Sequence, residues 1–454
     1  MTKTLRKFTF TASCIAIIAM AAPMTVRAMD NDPTTMTLSE VVGIGVATNP
    51  EYGVVATNRR ATDEELNQAK ALYLPSIDLR ADTGFEHSDD PATRGGLDDD
   101  DEENLWRYDY GLTLTQMLFD GFETKYENKR QKSRVLSASH RVRETSELVG
   151  LAIVEFYLDV MRQRELLRIA RENVANDISI MDQIQDSTEA GRSTQADTEQ
   201  SRARLASARA NEASVREQLR IAEANFIREV GDPPQNLILP VAPIDALAAN
   251  VEEEVKIALH QSPTVDIFEA DINVANAEFE GAKSTFYPQL DLQLNARDGN
   301  DLNGTEGKDT SASALLVLNW NLYRGGGDTA RVREFINREA QAKEARAEAA
   351  RGIENDVRRT WAQMISAGER ARQFATQADA NTEVVKAYQD QFDLNRRTLL
   401  DVLDSQNELF VSQSNTVNSE FVETFAVFRL LALKGELLKT LNVDYPREAD
   451  PAKM

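Results

Sequence analysis

A repeat constrains this chain more than any other feature. Thr37-Leu38-Ser39-Glu40 returns 213 residues on as Asn250-Val251-Glu252-Glu253. At that same offset, Asn49-Pro50, Ala69-Lys70 and Pro75-Ser76-Ile77-Asp78-Leu79 return as Ser262-Pro263, Ala282-Lys283 and Pro288-Gln289-Leu290-Asp291-Leu292. The offset then becomes 204: Leu118-Phe119-Asp120-Gly121 matches Leu322-Tyr323-Arg324-Gly325, Tyr157 matches Trp361, Asp197 matches Asp401 and Gly231 matches Gly435. One length difference of nine residues, 213 against 204, accounts for the change. Two offsets held over so many positions mean an internal duplication, so whatever one half forms the other must form too.

Each half opens on a capping signal, a hydroxyl or amide followed three residues later by a carboxylate. A helix follows and ends at Asn-Pro or Ser-Pro, and a second runs to the next proline, giving helical stretches over 37–74 and 250–287. The period then drops to two. Ile77 and Leu79 alternate with Asp78 and Arg80, Tyr108 to Leu114 with Asp109, Gly111 and Thr113, and Leu290 to Leu294 with Asp291 and Gln293. Leu316, Leu318, Trp320 and Leu322 share one face. The pattern predicts strands near 75–87, 106–119, 288–297 and 312–323. They are apolar on one side and of the length that crosses a bilayer as a tilted strand. Trp106 and Tyr108 fall at one end of this set; Tyr73, Phe119, Phe286, Tyr287, Trp320 and Tyr323 fall at the end facing the helices. Amphipathic rings favour both bilayer interfaces. The strand-joining loops are polar, one carrying four aspartates and two glutamates over 98–103, the other running through Arg297 to Gly304. The acidic loop lacks the ordered oxygens and glycine of an EF-hand and reads as solvated surface.

No proline interrupts the chain between Pro91 and Pro233 or between Pro288 and Pro446. Long helices are expected over 121–190, 194–230, 328–392 and 398–441, the first on the order of 100 Å long. Such helices need neighbours along an apolar stripe, and Ala206, Ala210 and Ala213 allow close approach. The repeats are placed at 29–245 and 246–441, with a tail at 442–454. Four strands cannot close a barrel, and lipid does not tolerate an open sheet edge. Several chains must share one. A dimer would give eight strands with a filled interior, and a trimer twelve with a lumen.

Lys3, Arg6 and Lys7, an apolar run from Ala12 to Ala22, and Val26-Arg27-Ala28 read as a signal peptide over 1–28. Cys14, the chain's one cysteine, lies inside it, which leaves a cysteine-free mature chain suited to an oxidising compartment. The formal net charge of −23 argues against nucleic-acid partners. Three scattered histidines (His87, His140, His260), no nucleophile motif and no phosphate-binding loop argue against an enzyme, a metal site or a cofactor.

The residues that carry a resemblance are Gln116-Met117-Leu118-Phe119-Asp120-Gly121 and Asn321-Leu322-Tyr323-Arg324-Gly325-Gly326, with Gly191-Arg192-Ser193-Thr194-Gln195-Ala196-Asp197 and Arg397-Thr398-Leu399-Leu400-Asp401-Val402-Leu403-Asp404. Over essentially its whole mature length the chain resembles the TolC family of outer-membrane channel-tunnel proteins, and within it the type I secretion components that export adhesins and similar proteins. The resemblance implies a mixed α and β, TolC-like fold: a homotrimer whose twelve-stranded outer-membrane β-barrel continues into a periplasmic α-helical barrel. It implies a passive exit duct in outer-membrane lipid that partners a periplasmic adaptor (membrane fusion) protein and an inner-membrane transporter of the ABC exporter class. A small-molecule efflux channel is the alternative function, and a periplasmic coiled-coil structural protein a remote one. Asp401 and Asp404, three apart on a helix, would form two acidic rings at the periplasmic entrance. Arg397 would pair across helices with a carboxylate such as Asp197 to hold that entrance shut, with Phe392 standing where the family often has tyrosine. Gly191, Arg192, Ser193 and Thr194, with Asn395, Arg396 and Thr398, would form the adaptor-docking turns. Asn395 replaces the family's usual glycine. Trp106, Tyr108, Phe119, Trp320 and Tyr323 would be the interface aromatics.

Overall fold

The structure, a computed structural model, describes residues 35–89, 102–394 and 396–452. The expected signal peptide, residues 98–101 of the acidic loop and Asn395 lie outside the described residues. The first half runs α1 (Leu38–Thr48), α2 (Pro50–Ala71), β1 (Ser76–Ser88), β2 (Glu103–Phe119), α3 (Glu123–Glu189) and α4 (Gln195–Val230). The second repeats the order as α5 (Val251–Gln261), α6 (Pro263–Ala282), β3 (Gln289–Leu302), β4 (Thr305–Asn319), α7 (Gly327–Asp393) and α8 (Leu399–Leu433), with a short α9 (Leu437–Thr440) appended. The duplication extends to length, since α3 and α7 are each 67 residues long.

Local chemistry sets the boundaries. Thr37 and Glu40 form a reciprocal capping box at the start of α1, the Thr37 N–H donating to the Glu40 carboxylate at 2.9 Å. Asn49 ends α1 and caps α2, with Pro50 at the first helical position, where its missing N–H costs nothing. Gly121 opens α3 at φ 69°, and a Cβ there would lie 2.7 Å from the Ser284 carbonyl oxygen. The sheet-to-helix junction therefore requires glycine at this position.

The four strands form one antiparallel sheet in the order β1-β2-β3-β4, so the β2–β3 pairing joins the two repeats. Register sorts the faces. Asp82↔Asp109, Gly111↔Arg297 and Asn295↔Ser313 carry one polar face, and Leu79↔Leu112, Leu114↔Leu294 and Leu292↔Leu316 the apolar one. The apolar face is bare: Leu79 is 74% exposed and Trp106 and Leu316 each 68%.

Three features depart from the sequence reading. The β3–β4 hairpin closes on Asn303-Gly304, both left-handed (φ 51° and 70°), so the polar stretch expected to be loop is mostly strand. β4 ends at Asn319, which leaves Trp320 and Tyr323 in the segment leading to α7. The helix expected to reach residue 441 stops at Leu433, because Gly435 turns the chain at φ 71° with the Pro263 ring packed against it.

The main core gathers α1, α3, α4, α8 and α9 around Tyr157 and Phe226. The Tyr157 hydroxyl lies 3.0 Å and 2.6 Å from the Met36 and Ile238 carbonyls and accepts from the Ile238 N–H at 2.9 Å, pinning two extended segments to α3. Lys434, fully buried, pairs with buried Glu254 at 3.3 Å and donates to the Ala246 carbonyl at 2.7 Å, which fixes the linker between the repeats. The C-terminal segment is held by Glu147 of α3. Its carboxylate accepts from the Leu437 N–H at 3.0 Å and from the Tyr445 hydroxyl.

Candidate functional site

The helix ends remote from the sheet bring the sequence-predicted site residues together. α3 terminates through Gly191 at φ 70°, with the Arg192 N–H donating back to the Ser187 carbonyl at 2.8 Å. Open space surrounds Gly191, so conformation alone calls for glycine here. α4 then starts on a capping box. The Asp197 carboxylate accepts from the Thr194 N–H (2.9 Å), the Thr194 hydroxyl (2.8 Å) and the Ser193 hydroxyl (3.0 Å). These bonds, those from Thr194 foremost, hold the Asp197 carboxyl below the usual range. The second repeat builds the same box on Thr398, whose hydroxyl donates to Asp401 at 2.7 Å.

Arg397 and Asp197 do not meet within the chain. Asp197 is committed to its own helix cap, and the ion pair Arg397 makes is with Asp401, one turn along, at 3.8 Å. The Arg397 guanidinium instead stacks 3.9 Å over the Tyr388 ring, and its Nε donates to Gln391 at 3.3 Å. Phe392 packs with Tyr388 onto a small core of Ile180 and Ile184 from α3 and Leu399, Val402 and Leu403 from α8. A hydroxyl is thus supplied nearby by Tyr388, not at position 392.

The cross-helix ion pair at this end joins Arg204 of α4 to Asp404 of α8 at 2.6 Å. Asp177 of α3 is buried beside it, and desolvation raises its carboxyl above the ordinary value while Arg204 opposes the rise. Further polar ties between helices here are uncharged: Gln389 donates to Gln183 at 3.1 Å, Asn176 donates to Gln406 at 3.2 Å, and the Thr188 and Thr198 hydroxyls lie 3.0 Å apart. Sequence reasoning missed Arg204, Asp177 and Tyr388. A signal for two of them was present in the repeat. At an offset of 204, Arg204 faces Glu408, Tyr388 faces Ile184, Asp404 faces Gln200 and Arg397 faces Ser193. The capping pairs are the same in both halves, whereas the residues that bridge helices differ.

At the sheet, Trp106 stands beside Phe85 on the apolar face. Tyr108 and Tyr110 lie 5.4 Å apart, and Phe119 packs edge-on against Phe122. Trp320 donates to the Phe286 carbonyl at 3.3 Å. Among the described residues no helix is long and apolar enough to cross a membrane.

The family description "Outer membrane efflux protein" matches residues 46–231 and 255–435, one stretch in each repeat. The chain belongs to this family. It is an outer-membrane channel protein with a periplasmic tunnel, not an enzyme. Outer membrane efflux protein BepC of Brucella suis is 25% identical, with 83% of this chain and 80% of BepC covered. Alkaline protease secretion protein AprF of Pseudomonas aeruginosa is 22% identical over 87% of this chain and 83% of its own length. The crystal structure of the Campylobacter jejuni CmeC outer membrane channel shares the fold at TM-score 0.76 and 13% identity, covering 88% of this chain and 86% of that one. The helix ends described above are accordingly the periplasmic tip.

Proposed function

We propose that three copies of this chain close a twelve-stranded barrel in outer-membrane lipid, and that the duct is the exit of a type I secretion system. It passively conducts protein substrates delivered by an inner-membrane ABC exporter through a periplasmic adaptor. The observation that carries the duct is the four-stranded sheet, apolar and bare on one face, polar on the other, with unpaired edges at β1 and β4. Three copies are the smallest set that removes the edges and leaves a lumen. The bare apolar face also argues against a periplasmic coiled-coil structural protein.

On this reading Asp401 and Asp404 ring the periplasmic entrance. The turns at 190–194 and 394–398, with Gly191, Arg192, Ser193, Thr194, Asn395, Arg396 and Thr398, receive the adaptor. The Arg204–Asp404 pair takes the gate-holding role expected of Arg397 with Asp197. The likeness to AprF, a protease secretion protein, supports protein cargo. The likeness to BepC favours a second reading, the outer-membrane channel of a small-molecule efflux pump. Comparing the secreted and surface proteins of a deletion strain with those of its complemented parent separates the two. Loss of one or a few large proteins, restored on complementation, supports secretion. An unchanged exterior with new dye accumulation and drug sensitivity supports efflux and refutes secretion.

A further inference from the structure

The tip of the β3–β4 hairpin does not continue the line of its strands. The register slips between Asn300 and Leu302, where Asp301 adopts φ 56° and its carboxylate accepts from the Gly307 N–H at 2.8 Å. Leu302 is only 6% exposed, although it lies at the end of a strand in a sheet whose other leucines are all half-buried or exposed. It packs onto Gly299, where a Cβ would sit 2.5 Å from the Leu302 side chain. The tip's Gly304 N–H then donates at 3.2 Å to Glu86 of β1, two strands away across β2. Glu86 in turn pairs with Arg107 at 2.6 Å, and Arg107 reaches Asp82 at 2.6 Å. By register, Asp82, Arg107, Asp109 and Gly299 lie on the polar face. The hairpin tip is therefore folded over the polar side of the sheet and latched to the far strand.

We propose that this tip is an exit-side lid of the duct, with Leu302 as its apolar foot and Glu86, held by Arg107, as its latch. This inference rests on the reading that the polar face lines a trimeric lumen. Twelve strands about 4.8 Å apart and tilted by about 40° give a wall-to-wall diameter of roughly 24 Å. A layer of chain packed on a sheet sits about 10 Å from it, so three such tips leave little open bore. Cargo leaving the duct must displace them, and the latch consists of one backbone hydrogen bond, one ion-paired carboxylate and one leucine per chain. That is small enough to be broken by passage and large enough to keep the resting mouth narrow.

Ser313 lies on the same polar face at mid-strand, exposed and deeper than the tip. The test introduces Ser313→Cys and treats intact cells from outside with a small maleimide or a bulky polyethylene-glycol maleimide. Two unlatched backgrounds, Glu86→Ala and Leu302→Ser, are compared with the latched parent, each confirmed by its heat-resistant trimer. The small reagent should label all of them. The bulky reagent should label the latched parent slowly and both unlatched forms about tenfold faster, the change that loss of ~1.4 kcal/mol from the closed state gives. Equal rates for the bulky reagent in all three refute the lid. Failure of even the small reagent to reach position 313 refutes the lumen reading beneath it.

Discussion

Glu147 offers the sharpest test of the tunnel wall. It is 1% exposed on α3, and desolvation raises its carboxyl from 4.5 to about 7 despite the Tyr445 hydroxyl and the Leu437 N–H that favour the anion. The folded chain therefore holds a proton between pH 4.5 and about 7 that the unfolded chain has released. Stability falls as pH rises through that window, by about 1.4 kcal/mol per unit and about 3 kcal/mol in all, and is level above it. Glu147→Gln cannot titrate but reproduces the protonated form. Its carbonyl can accept from Leu437, its amide can donate to the Tyr445 oxygen, and the tyrosine proton can turn to the Gly435 carbonyl, 2.8 Å away.

The variant's stability relative to wild type should accordingly increase by about 3 kcal/mol between pH 5 and pH 8. An unfolding entropy near 2.1 cal/mol/K per residue makes that about 3 °C in Tm for a chain of this size. The assay is thermal unfolding of both proteins in detergent at one scan rate across that range. Other titrating groups, His140 among them, cancel in the difference. Two Tm curves that run parallel from pH 5 to pH 8 would show that Glu147 is ionised throughout and refute the argument.

Other perturbations follow from single contacts. Arg204→Ala or Asp404→Ala should loosen the periplasmic tip and raise single-channel conductance in planar bilayers, while the exchange Arg204→Asp with Asp404→Arg should restore it; identical conductance in all forms excludes the pair from the gate. Stability should change little, since an ion pair this exposed is worth under about 1 kcal/mol. Gly121→Ala must adopt a left-handed conformation against the Ser284 carbonyl and should cost more than about 1 kcal/mol, seen as a lower yield of heat-resistant trimer. Tyr157→Phe removes the acceptor of the Ile238 N–H and the single O–H that the Met36 and Ile238 carbonyls share, and should lower stability by about 1–3 kcal/mol in a thermal melt.

The residues that were legible in the sequence and those that were not differ in the range of the interactions that define them. The starts of α1 and α5 were legible because a capping signal is complete within four residues, as at Thr37 and Asn250; the same signal at Thr194 and Thr398 was equally local but went unread. The faces of the sheet were legible because alternation is also local. The strand end at Asn303-Gly304 was missed although its turn signal is local, because the polar residues around it resemble a loop when the partner strand is unseen. Glu86 could not be connected to Gly304, nor Arg204 to Asp404, because those contacts join segments some 200 residues apart and nothing in either segment names the other. The duplication supplies part of the missing information. Positions that the two halves share, such as Asp197 with Asp401 and Gly231 with Gly435, do the same local job twice: each aspartate closes a helix cap, and each glycine ends a helix in a left-handed turn. Where the halves disagree, local structure is not the reason for the residue, and an interaction between elements is the remaining explanation. Arg204 against Glu408 and Tyr388 against Ile184 are such positions, and both lie at the periplasmic tip. At this end of the bundle, departure from the internal repeat therefore points to contacts between helices more directly than the motifs the halves have in common.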